Sequence, residues 1–162
     1  MAKDLNKALE AVEMTYCQIR DIADNMLAVP FEEPNRIVSF IQANIESMSI
    51  DMLRDSILRL QLAVYSLSEL RDRSSIKASC AEAIRKEAYA TAYVVQEGTS
   101  GVKDSNTTIA ISENIVVQCL YDLVASMVKT KVDMCLRLID SMKSILMSRM
   151  QEAKISATSL AE

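Results

Sequence analysis

The chain has 162 residues, 50% hydrophobic and 25% charged, with 18 Lys plus Arg against 22 Asp plus Glu and a net charge of −4. It holds 2 Gly, 2 Pro, no Trp and no His. So few turn formers exclude a β-sandwich or barrel and a glycine-rich phosphate loop. The missing histidine excludes a Ser-His-Asp triad, a Cys-His pair and imidazole metal ligands. A length near 160 falls within one domain of roughly 100–200 residues, and the charge lacks the basic excess of a nucleic-acid-binding domain.

The start, MAKDLNKALE, carries no apolar signal core, and no run reaches the roughly 18 apolar residues of a membrane span. The four cysteines, Cys17, Cys80, Cys119 and Cys135, include no C-x-x-C pair. They are expected to be reduced, apolar helix residues in a cytoplasmic protein, with no metal and no cofactor.

In chain order, residues 3–28 form the first expected helix. Leu5, Leu9, Val12, Tyr16, Ile19, Ala23 and Met26 recur in steps of four and three, an a/d heptad seam. A coiled coil between chains and one helix of an intramolecular bundle both produce this stripe. The prolines of Pro30-Phe31-Glu32-Glu33-Pro34 are expected to end it and to open a second helix over 35–72. The apolar register of that helix shifts near Ser49-Ile50-Asp51, which marks either a break or a slip, with Asp51 a candidate cap. Ser74 or Ser75 then caps a third helix over 75–97, slim with alanine and ended by Gly98.

Residues 98–106 hold both glycines and read as a loop. Residues 107–111 have strand-like composition, and a short hairpin with Tyr93-Val94-Val95 is the alternative to a helix that starts near 108. From 108 to 152 there is no Gly or Pro, so one helix of about 45 residues, near 67 Å, is expected. One apolar stripe runs Val117, Tyr121, Val124, Val128, Cys135, Ile139, Met142 and Leu146. A second runs Val116, Leu120, Leu123, Met127, Met134, Leu138 and Ile145. Two apolar faces need partners on both sides, so the first stripe is the expected oligomer interface. A break near Lys129-Thr130-Lys131, giving a compact bundle, is the competing reading. Residues 155–162 read as a frayed tail.

The fold expected is therefore all-α: an elongated, coiled-coil-like helical bundle with a long C-terminal helix, one domain over 1–154, and homo-oligomeric. Paired carboxylates such as Asp51/Asp55 lack the histidine of a helical di-metal site, so no enzyme is expected. The best cluster for nucleic acid is Lys77, Arg85 and Lys86 followed by Tyr89, interleaved with Glu82 and Glu87.

The motif Ser74-Ser75-Ile76-Lys77, the slim helix running into an aromatic stretch and glycine loop over Tyr89–Gly101, and the closing run LRLIDSMKSILMSRMQ resemble the UvsY-type phage recombination mediators. The resemblance covers roughly residues 70–152. It implies a small helical homo-oligomer that binds single-stranded DNA, through Lys77, Arg85, Lys86 and Tyr89, and helps load a recombinase in a bacterial host cytoplasm. In that family basic residues directly precede the aromatic stretch; here Arg85 and Lys86 lie one turn earlier. The alternative is a helical assembly or adaptor protein, such as a virion component or a protein-binding inhibitor, that binds another protein and no DNA. Neither reading involves a membrane.

Overall fold

A computed structural model describes residues 2–159, with side chains described for 9–156. All regular structure among them is helical: α1 (Ala2–Asn44), α2 (Ile50–Val95), α3 (Ser100–Ala110) and α4 (Ser112–Ser159). The chain divides into two compact units: unit 1 holds residues 1–27 and 71–127, and unit 2 holds 28–70 and 128–162. α1, α2 and α4 each contribute to both units.

Three expected boundaries fall elsewhere. α1 runs through Pro30 and Pro34 without ending. Each ring removes one donor and crowds the carbonyl four residues back, at about 3 kcal/mol in a helix interior. Packing offsets that cost. Pro34 is buried, the two prolines face Ala63, Leu67 and Leu70 of α2, and Ile37 and Ile41 of the same helix enter the core. The break falls instead at residues 45–49, where the apolar register shifts. Ser49 caps α2, its Oγ accepting from the Met52 amide at 3.2 Å, while Asp51 sits in the first turn and pairs with Arg54 at 3.5 Å. There is no break at Ser74 and Ser75, because carrying two serines inside a helix costs less than leaving two new helix ends unsatisfied.

The glycine region departs too. Gly98, at φ +113°, turns the chain after α2, but Ser100–Ala110 is helix rather than loop. Residues 107–110 are therefore helical, and Ile111 is the joint between α3 and α4. α4 continues through Lys129-Thr130-Lys131 and on to Ser159, so 155–159, expected to fray, is helical. Residues 160–162 lie outside the described residues, as does the side chain of Leu5.

Unit 2 has the substantial core. Ile37, Ile41 and Met48 meet Leu53, Ile57, Leu60, Val64 and Leu67 of α2 and Val132, Cys135, Ile139 and Met142 of α4. The α1–α2 turn is closed by Arg149 of α4. Its guanidinium donates to the carbonyls of Ile45 and Glu46, both at 3.0 Å, and to that of Met48. Near the prolines, the Lys131 ammonium donates to Asn35 Oδ1 and lies 5.9 Å from the Phe31 ring centroid.

Replacing Arg149 by Ala leaves these carbonyls without their donors. We expect a loss of about 2–3 kcal/mol in urea unfolding, only partly recovered by Arg149→Lys, which offers a point charge in place of a planar fork. Pro30→Ala restores a helical donor and is expected to raise stability by about 1–2 kcal/mol. An unchanged or lower unfolding midpoint for that variant would show that the packing of Pro30 itself outweighs its helix cost, so that neighbouring core residues are not what offsets it.

Candidate interaction surfaces

The residues singled out for nucleic acid all lie on the unit 1 part of α2, and most are tied to neighbours. Arg85 Nε donates to Gln118 Oε1 on α4, and Gln118 in turn donates to Asp122 at 3.3 Å. Lys86 forms an i,i+4 ion pair with Glu82 at 2.6 Å. That hydrogen bond and charge hold the Glu82 carboxyl below its ordinary range. The Tyr89 hydroxyl donates to Asp104 on α3 at 2.7 Å. Lys77 instead lines a groove of about 220 Å³ with Ala81, Ile84, Asn114, Val117 and Tyr121. The structure therefore brings Lys77 beside two members of the expected oligomer stripe.

Two further residues complete the cluster. Tyr93 stacks on Tyr89 with ring centroids 5.9 Å apart and planes inclined by 21°, and Lys103 lies 5.8 Å from the Tyr93 centroid. The tyrosine spacing of four was visible in the sequence as one helix face. Lys103 and Asp104 were hidden by reading 98–106 as a loop, since only a helical α3 carries them back onto α2. What the cluster achieves locally is to hold α3 against α2. α3 also buries Thr107, whose hydroxyl has no hydrogen-bond partner.

The expected oligomer stripe on α4 meets a different fate. Val124, Val128, Cys135, Ile139 and Met142 are buried within the chain itself. Tyr121 and Leu146 are half-buried, and Val117 is exposed. Five of the eight are thus already covered within the chain, and for Cys135, Ile139 and Met142 α1 and α2 supply the second layer that the sequence pattern left unassigned. Of the second stripe, Val116 and Met134 are exposed and the other five half-buried. Burial raises the Cys135 thiol above its usual range, while Cys17, Cys80 and Cys119 are exposed.

The two units differ most in how they use apolar residues. Among the described residues unit 2 buries thirteen hydrophobic side chains, whereas unit 1 buries five, two of them alanines. Unit 1 nevertheless exposes fourteen large hydrophobics, from Leu9 through Val117. Between α1 and α4 of unit 1 runs an open groove of about 490 Å³, lined by Ala11, Thr15, Ile19 and their neighbours facing Cys119 and Leu123.

Unit 2 carries a more polar cleft of about 380 Å³, where Glu33, Arg36, Asp55 and Arg59 surround Phe40 and Ser56. Its charges are paired along their own helices, Arg36 with Glu33 and Arg59 with Asp55. Among the described residues no three Cys, Asp or Glu side chains gather as metal ligands, and no single helix is long and apolar enough to cross a membrane. No family model, curated protein or solved structure matches this chain.

The Tyr89–Asp104 bond, ahead of desolvation, raises the Tyr89 pKa from its ordinary 10.0. The folded state favours the neutral phenol. The contribution is therefore complete below pH 10.0 and lost as pH rises through the higher folded value. Stability of the native chain is expected to fall more steeply above that pH than that of Tyr89→Phe. Parallel curves in alkaline urea titrations would show that the bond contributes nothing.

Proposed function

We propose that this chain is a non-enzymatic helical assembly protein that works by protein–protein contact through the apolar helix faces of unit 1. The observation that carries this reading is the fourteen exposed large hydrophobics over five buried ones in that unit. Monomeric soluble proteins rarely expose contiguous apolar patches beyond a few hundred Å². The engagement of Arg85 with Gln118 and of Lys86 with Glu82 supports the same reading, since both cations are already committed within the chain.

A second reading, single-stranded DNA binding in the manner of the recombination mediators it resembles, is favoured by one observation. The stacked pair Tyr89–Tyr93 lies within two turns of Arg85 and Lys86, with Lys103 beside it. An aromatic face with nearby cations is what base stacking and phosphate attraction require.

Light scattering across a hundredfold range of protein concentration separates these readings when paired with a DNA mobility assay at two salt concentrations. Assembly predicts a mass above that of one chain, rising with concentration. A monomer throughout overturns it. Salt-sensitive retardation of single-stranded DNA at micromolar protein, lost in Arg85→Ala/Lys86→Ala, would establish the second reading.

A further inference from the structure

The cleft of about 380 Å³ in unit 2 falls within the range of small-ligand sites, roughly 300–1,000 Å³. Its walls are one face of each of two helices: Glu33, Arg36 and Phe40 from α1, and Met52, Asp55 and Arg59 from α2. Both helices run away from the same turn at 45–49, so the lining is graded along its length. Phe40 and Met52 lie nearest the turn and are 46% and 45% exposed. Glu33 and Arg59 lie about two turns farther off, with Arg36 and Asp55 between. The cleft therefore has an apolar end and an end that carries both signs of charge.

Ser56 marks it as a site for a ligand. It lines the cleft and is 4% exposed, yet among the described residues its hydroxyl has no hydrogen-bond partner. Ser68, Ser79, Ser141 and Ser144, also inside helices, each donate to the carbonyl four residues back. Ser56 leaves that bond unmade. A hydroxyl buried without a partner is costly, and the cleft is the side from which a partner can reach it. The charges are open to a ligand too. Arg36 pairs with Glu33, and Arg59 with Asp55 at 2.9 Å, each along its own helix and not across the cleft. All four side chains are more than half exposed, and exposed pairs contribute little, so exchanging a partner is cheap. Two guanidiniums and two carboxylates give this lining no net charge. A phosphate backbone meets the carboxylates, and a polyamine meets the guanidiniums. A zwitterion finds an opposite charge at both of its ends.

We propose that this cleft binds a free α-amino acid with an apolar side chain. Arg36 and Arg59 take its carboxylate, to which Ser56 Oγ also donates. Glu33 and Asp55 take its ammonium, and its side chain lies against Phe40 and Met52. The site is confined to unit 2 and does not depend on the assembly reading.

The test is an amide-shift titration of the full chain with L-phenylalanine, L-leucine and L-methionine. At least one should give saturable shifts at Phe40, Met52 and Ser56 and none across α3. For the tightest of the three, the analogue without its ammonium and the analogue without its carboxylate should each bind at least about tenfold more weakly, the loss expected for one charge-assisted hydrogen bond. Arg59→Gln should weaken the amino acid to a similar degree and leave the analogue without its carboxylate unaffected. Ser56→Ala, which removes the hydroxyl without adding bulk, should also weaken it. Arg20→Gln, which breaks a comparable exposed pair with Asp24 in unit 1, should change nothing. Three amino acids that give no saturable shift overturn the proposal, as do analogues that match the amino acid or binding unchanged in Arg59→Gln and Ser56→Ala.

Discussion

Reversing the chain between α1 and α2 without a glycine is the constraint on which unit 2 depends. Residues 45–49 contain none, and Gly98 is the one residue described with a positive φ. At the end of α1 the Ile41 and Asn44 carbonyls still accept from the backbone amides of Ile45 and of Ser47 and Met48, but the carbonyls of the turn itself need another donor. Arg149 supplies a replacement, presenting several donors on a planar fork to three carbonyls of the turn. Because Arg149 lies seven residues beyond Met142, two turns along the same helix, it also sets the register at which α4 meets the core. One side chain thus closes a turn and aligns a helix that is a hundred residues away in sequence.

What the sequence revealed of the fold follows from which signals are local. The scarcity of Gly and Pro and the apolar stripes led to an all-helical chain and a long last helix, whereas the helix expected over 35–72 is interrupted at its register shift near Ser49, where the α1–α2 turn lies. The prolines misled because their penalty is local while its compensation is not. Pro34 is buried beside residues some thirty positions away, and a spacing argument has no access to that. The loop reading of 98–106 failed for a related reason. Gly98 does turn the chain, but Gly101 falls inside α3, in open space that tolerates a glycine without requiring one.

The candidate site was legible to about the same depth. Helical spacing placed Arg85, Lys86 and Tyr89 on neighbouring turns, as found. It did not show that Gln118, Glu82 and Asp104 engage them. Glu82 was in view as an i−4 neighbour of Lys86, whereas Gln118 and Asp104 come from other helices. The α4 stripe shows the same limit from the other side. Periodicity identified Val124 to Met142 as a face requiring cover, and for Cys135, Ile139 and Met142 the cover came from α1 and α2 of the same chain. A hydrophobic stripe fixes the need for a partner and leaves the partner's identity open.

The asymmetry between the units ties stability to interaction. Each fully buried large aliphatic side chain contributes about 1.5–3 kcal/mol, and unit 2 has about a dozen. Among its described residues unit 1 has three larger than alanine, Leu27, Ile111 and Val124, and it also buries the unpartnered Thr107 hydroxyl, at about 1–3 kcal/mol. Its part of α1 therefore gains little from the chain's own packing while holding an apolar ridge in water. Cover on the exposed apolar faces of unit 1 would therefore add to a stability that its own core supplies only weakly.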